Sequence, residues 1–415
     1  MSDRTDAVIS PEDRSILRDL AKRVAEIAGL PVMEERRRMW KEHNRLRRVR
    51  PMILVFPEGA WRELAQEIRL ECEGQAARGI ESGLRSRIYA HEHIHDDIPV
   101  ERNWTVSSAI GNTGWGLAPR WKPSADPTGA RAFDPVIIEP ADLKRLRAPE
   151  VTFDEKETER RLALPRELFG DILDVKLKHI THVSYHLMNQ YTALRGLEQV
   201  MMDMAINPGM LHDAMAFFED AHHRMLRQYV DLNFLMLNND GEYHSSGGLG
   251  YTDELPASGF DPARVRPSDM WASAEAQELA QVSPEMHEEF SLQYERRLLA
   301  PFGLNGYGCC EDLTRKLDHV LTIPNIRRIS IAPWADVEKC AEELGDKAIF
   351  SWKPHPSHMC GRFDPGMIRG YIKHTLDVTR GCVVEMILKD THTCDHHPER
   401  FTVWADIAQE LAAAG

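Results

Sequence analysis

What the 415-residue sequence lacks narrows it first. No apolar run approaches the roughly 18–20 residues that a membrane-spanning helix needs, so no membrane partner is expected. Positive charge is short: 51 Lys and Arg stand against 65 Asp and Glu, a formal net charge of −14. Such a chain repels phosphate backbones, and no nucleic-acid partner is expected. There is no CxxC pair, and the cysteines, 7 in all, follow no repeated spacing. An odd, unframed set argues against structural disulfides, so the thiols are read as reduced. Gly-Lys-Ser/Thr, Gly-x-Ser-x-Gly and His-Glu-x-x-His are also missing, which removes the signatures of P-loop hydrolases, nucleophile-elbow esterases and zincin proteases. The opening MSDRTDAVISPEDRS has neither the basic nor the apolar region of a secretory signal, and a cytoplasmic location is the expectation.

What is present suits a large α/β protein. Hydrophobic residues make up 42% of the chain, enough for a sizeable core. The one basic run, RRRMWKEHNRLRRVR at 36–50, carries Met39, Trp40, Leu46 and Val49 at near-helical spacing, with Glu34, Glu35 and Glu42 interspersed. It reads as a helix with a solvated charged face, the alternative being a surface for an acidic partner. Residues 11–48 are predicted helical, PMILVF at 51–56 a buried strand, and 60–90 helical again. Residues 95–165 are rich in Pro, Gly and Trp and read as an irregular insertion. Beyond 170, short apolar strands alternate with amphipathic helices, the mark of a parallel sheet. The expected fold class is α/β: a (β/α)8 TIM barrel over 51–415, with an N-terminal helical extension over 1–50 and the insertion at 95–165.

In a barrel the active site lies at the C-terminal ends of the strands, which turns the sequence into a short list of residues. After NFLML come Asn239, Asp240 and the loop GEYHSSGGLGYTDELP with Tyr251; after GLNGYG come Cys309, Cys310 and Glu311. Trp334 follows RRISI, Lys353 and His355 follow AIFSW, and Lys389, Asp390, His392 and Cys394 follow VVEMIL. Polar, ligating and aromatic side chains collect at the same phase of each unit, as a real site requires. The adjacent thiols, with imidazole from His392, suit a zinc centre of N/S type; packing of small apolar cysteines is the plainer alternative. HEHIHDD at 91–97 is a second metal candidate, with His91, His93 and His95 on one face if the segment is extended. The pairs His222–His223 and His396–His397 read as surface or cap residues, and Trp104 and Trp115 as pocket walls or as packing for the insertion.

The segments PEMHEEFSLQYERRLLAPFGLNGYGCCEDL, GDKAIFSWKPHPS and RGCVVEMILKDTHTCDHHPERFTVWADIAQE, with RGLEQVMMDMAINPGMLHDAM upstream, carry a family resemblance. The chain resembles the superfamily of uroporphyrinogen decarboxylase and the methylcobamide:coenzyme M methyltransferases, and is most similar to the uncharacterised uroporphyrinogen-decarboxylase-like proteins of its corrinoid-linked methyltransferase branch. The resemblance implies a TIM barrel and a zinc ion held by a His-x-Cys at one strand end and a Cys at the last strand. Here Tyr307-Gly308-Cys309 stands at the His-x-Cys position, with Cys310 as the substitute donor, and His392 stands at the later cysteine position. The implied ligands are therefore Cys309, Cys310 and His392.

The implied function is zinc-dependent transfer of a methyl group between a small O-, N- or S-methylated substrate and a corrinoid protein or thiol acceptor. Glu311, Asp240, Lys353 and Asp390 are the candidate catalytic residues. Trp334, Tyr251 and Asn239 are expected to line the cofactor pocket. No corrinoid-binding Asp-x-His-x-x-Gly occurs, so cobalamin would come from a partner protein; a homodimer is compatible with this reading. A metal-free decarboxylase or lyase on the same barrel, and a non-catalytic corrinoid-binding protein, are the alternatives.

Overall fold

The computed structural model describes residues 9–122, 132–244 and 247–414. In chain order the strands are β1 (Met52–Val55), β2 (Asn103–Ser107), β3 (Ile110–Asn112), β4 (Arg120–Lys122), β5 (Ala132–Asp134), β6 (Val151–Phe153) and β7 (Asp174–Lys178). Then follow β8 (Ser184–Tyr185), β9 (Trp271–Ala274), β10 (Leu304–Tyr307), β11 (Ile326–Ile331), β12 (Ile349–Trp352) and β13 (Val383–Leu388). One sheet has seven strands in the order β1-β13-β12-β11-β10-β9-β8. Its described pairings, β1 with β13, β8 with β9, β9 with β10 and β10 with β11, are parallel. The expected mixed α/β fold with a central parallel sheet is therefore present. NFLML contributes only a bridge, Leu235 to Ile180, and no strand beside the others.

The chain divides into two compact units. The first comprises Met1–Ser108, Glu155–Lys178 and Ser351–Gly415. Its helix Pro11–Ala28 starts where Ser10 caps the Asp13 N–H at 3.0 Å and Pro11 presets the first turn, and it ends at Gly29. The expected single helix over 11–48 is thus two, because Gly29 and Pro31 interrupt it before Pro31–Asn44. Leu17, Ala21, Val24 and Ile27 fall on one face and pack with Leu84, Leu168 and Phe169. Fully burying one such leucine contributes about 1.5–3 kcal/mol. Within the basic run, Arg37 is ion-paired with Glu101, Arg45 and Arg47 with Glu42, and Arg50 with Asp97.

HEHIHDD is not extended. His91 and His93 lie in the last turn of the helix Gln75–His93, which places them off any common strand face. His95 hydrogen-bonds Asp406 at 2.6 Å. Trp104 packs on Phe169 with ring centroids 5.2 Å apart.

The second unit comprises Ala109–Asp154 and His179–Phe350. Within it, β8 to β11 run side by side and the helix Pro208–Asp231 buries Met215, Phe218 and His222. His222 is a correction to the surface reading: its Nε2 meets the Gln190 side-chain oxygen at 3.0 Å, and Trp115 and Tyr185 pack around its ring. Burial lowers its pKa to about 4, so the ring is neutral. No described helix is long and apolar enough to cross a membrane.

Candidate active site

In the second unit the side chains that matter stand one to four residues beyond the parallel strands. His186 follows β8 and Glu275 follows β9; His186 Nδ1 and Glu275 Oε1 share a hydrogen bond of 2.5 Å. The other Glu275 oxygen, Oε2, is buried with no hydrogen-bond partner among the described residues. β10 is followed by Gly308, whose φ of 90° suits glycine, and a side chain there would stand 2.7 Å from the Leu313 Cδ1 atom. That turn brings Cys309, Cys310 and Glu311 round together. The Cys309 N–H donates to Glu311 Oε2 at 2.7 Å, and the Ala276 N–H donates to Glu311 Oε1 at 3.2 Å. The two sulfurs are 3.6 Å apart. The Ser330 hydroxyl donates to the Cys309 carbonyl at 2.8 Å, and the Trp334 indole N–H donates to the Cys310 carbonyl at 3.0 Å. Both partners belong to β11 or the loop after it.

Electrostatics set this cluster apart. Glu311 is almost fully buried. Burial first, and the neighbouring Glu275 charge second, push its pKa up to about 7. Behind it, the Tyr307 hydroxyl donates to Glu295 at 2.8 Å and lies 2.8 Å from His287 Nε2. Glu295 is pushed well above the ordinary carboxylate range, chiefly by burial, and burial lowers His287 to about 3. A carboxyl that is half protonated near neutrality, beside two half-buried thiols and an imidazole–carboxylate pair, can give or take a proton.

The remaining predicted residues of this unit are placed as follows. Trp334 is 58% exposed. The Asn239 amide donates to the Leu255 carbonyl at 2.7 Å and Tyr251 is buried, so both sit within the fold of the 241–255 loop. Asp240 is exposed, with Oδ1 accepting from the Glu242 N–H at 3.2 Å. Ser245 and Ser246 of that loop lie outside the described residues.

The first unit has its own strand-end groups. Lys353, buried after β12, donates to the Ser351 carbonyl at 2.9 Å and to its hydroxyl at 2.8 Å. Beyond β13, the Asp390 N–H donates to Glu58 Oε2 at 3.0 Å, and both residues hold left-handed backbone, φ 58° and 46°. Burial, then the Asp390 charge, raise the Glu58 pKa. His392 is exposed, its Cα packed 3.1 Å from where a side chain on Gly59 would begin. Cys394 is buried and donates its S–H to Glu63 at 3.0 Å. Burial, reinforced by Glu63, pushes this thiol up to about 12, which keeps it protonated and a poor metal ligand.

For zinc the fit is partial. Two Zn–S bonds of about 2.3 Å at a tetrahedral angle put their sulfurs about 3.8 Å apart, and Cys309 and Cys310 stand at 3.6 Å. Glu311 has both oxygens engaged by main-chain N–H groups. Among the described residues, no group of three or more His, Cys, Asp or Glu side chains is arranged to hold a metal ion.

Sequence reasoning missed Glu275, His186 and Glu58. The signal was available for Glu275: it directly follows WASA, a short apolar segment in the same phase as the other strands.

No protein-family model matches the chain, and no curated protein matches it. Among solved structures it is similar to a methyltransferase from Methanosarcina mazei, with 12% identity and a TM-score of 0.46 over 90% of this chain and 97% of that one.

Proposed function

We propose that the chain is an enzyme of methyl transfer on a (β/α)8-type scaffold, and that the strand-end cluster of the second unit is its reaction site. It would move a methyl group between a small O-, N- or S-methylated substrate and a corrinoid held by a partner protein, or a thiol. The observation that carries this reading is the meeting, in the single turn after β10, of two sulfurs 3.6 Å apart with a buried carboxyl. The resemblance of the YGCCEDL and LKDTHTC segments points the same way.

When a methyl group leaves a heteroatom, the carbon–heteroatom bond breaks with its electrons on the heteroatom, which must then be protonated. Glu311 in its acid form supplies that proton and recovers it in the reverse direction. Glu275 holds the His186 imidazole in one orientation, and His186 in turn positions the substrate's polar end. Trp334 offers an exposed indole face to the apolar part of the ligand. Zinc bound through the thiols of Cys309 and Cys310 would polarise the leaving heteroatom or activate a thiol. A reduced corrinoid, where it is the acceptor, would supply the nucleophile.

The test is transfer to cob(I)alamin from a panel of O-, N- and S-methyl donors, followed by the absorbance of methylcobalamin. Wild-type protein should convert at least one donor class. Glu311→Gln should lower kcat by about 10²-fold or more at unchanged fold, and Cys309→Ala should abolish turnover. Transfer from no donor, or transfer indifferent to both changes, would sink the reading.

A second reading is a metal-free decarboxylase or lyase, favoured by the buried Lys353 amine at the end of β12. Turnover that survives chelation and Cys309→Ala but not Lys353→Met would put it first.

A further inference from the structure

The basic run at 36–50 ends at a cavity that the strand-end chemistry does not use. In the first unit, at the N-terminal ends of β1 and β13, lies a cavity of about 470 Å³. Small-molecule sites commonly span about 300–1,000 Å³. The cavity therefore has the size of a ligand site, and it sits roughly 20 Å along β13 from the Asp390 end of that strand. Arg48, Arg50 and Arg380 line it, together with an apolar wall that includes Leu376, Val383 and Leu411.

The guanidinium charges do not all cancel. Asp97 holds Arg50 through two hydrogen bonds, of 2.8 and 2.6 Å. Asp377 takes Arg380 at 2.8 Å and is shared with Lys373 at 2.5 Å. Arg48 is exposed, and its hydrogen bond is to the Arg380 carbonyl at 3.2 Å, with no carboxylate partner among the described residues. His43 also lines the cavity, and its Nε2 is hydrogen-bonded at 3.0 Å to buried Glu385. A guanidinium without a carboxylate partner among the described residues, beside an apolar wall in a chain whose net charge is −14, is a selective feature. A carboxylate fits the Arg48 fork, and an uncharged molecule would leave Arg48 unused. We infer that this cavity is a binding site for a small monoanion with an apolar body, a medium-chain carboxylate. Its carboxylate pairs with the Arg48 fork, and its chain lies on Leu376, Val383 and Leu411.

The experiment is calorimetric titration of the full chain with sodium octanoate, with 1-octanol and sodium acetate as controls. Octanoate should bind at about one site per chain, and each control should bind at least about tenfold more weakly, because each lacks half of the recognition. Arg48→Gln, a change at an exposed side chain, should weaken octanoate about tenfold. Leu376→Trp, which fills the cavity, should remove binding. No saturable octanoate binding below about 10 mM would overturn the inference. So would octanol binding as tightly as octanoate, or affinity unchanged in Arg48→Gln.

Discussion

Glu311 and His222 show how one physical cause, burial, gives opposite results in an acid and a base. Burial raises the Glu311 carboxyl to about 7, where it can be either donor or acceptor. It lowers His222 to about 4, where the ring is a neutral packing element among Trp115, Tyr185 and Gln190. The histidine couples folding to pH. The unfolded ring takes a proton near 6.5 while the folded one resists to about 4, so its contribution is complete above 6.5 and is lost as pH falls between those values. Denaturant midpoints should therefore fall from pH 7 to 5, with about 2 kcal/mol assignable to this residue. His222→Gln should flatten that slope; an unchanged slope would mean the ring is not held neutral. Neither environment can be read from a single letter in the sequence. His222 stands in a polar-looking dipeptide of an amphipathic helix, and only the packing of Tyr185 and Trp115 on it decides its state.

Among the elements, the helical stretch 284–299 carries more than its periodicity reveals. The sequence predicts one helix over 284–300. The structure has an α-turn at Pro284–His287, a π-helical turn at Glu288–Leu292 and an α-helix at Gln293–Leu299. Such turns often mark functional sites, and on either side of this one His287 and Glu295 both reach the Tyr307 hydroxyl of β10. Tyr307→Phe keeps the ring and removes that hydroxyl from two buried groups. It should cost about 1–3 kcal/mol by chemical denaturation, and a cost near zero would show that the bridge is not holding β10. A second element pair is fastened by charge. Gly196, at φ 87°, turns the helix Leu187–Arg195 into Leu197–Ile206, and buried Arg195 meets Asp203 through two hydrogen bonds of 2.8 and 2.9 Å. Asp203→Ala leaves the guanidinium buried without its acid and should cost about 3–5 kcal/mol, measurable as a loss of midpoint. The strands were legible because each is a short apolar run between breakers. The bridge at Leu235 was over-read as a strand because apolar letters alone do not supply a neighbour with free N–H and C=O groups.

For the whole molecule, metal content decides how the paired thiols are used. Purified without a histidine tag, the protein should carry about one zinc per chain by mass spectrometry if the paired thiols bind it. The metal should then be lost in Cys309→Ala and in Cys310→Ala. Metal-free, well-folded protein would leave the sulfurs as substrate contacts.

The sequence by itself determined the α/β class, most of the parallel strands and the phase at which polar residues follow them. Those depend on local periodicity and on the chemistry of the residue after each apolar run. It also determined that Cys309, Cys310 and Glu311 share one turn, since they are neighbours in the chain. The tertiary structure decided what surrounds that turn. Glu275 and His186 come from other strands, Ala276 lends its N–H, and Trp334 closes on the Cys310 carbonyl. Burial and the Glu275 charge raise the Glu311 carboxyl towards neutrality, and the N–H groups of Cys309 and Ala276 oppose that rise. A pKa depends on desolvation and on charges that are near in space, and sequence separation encodes neither.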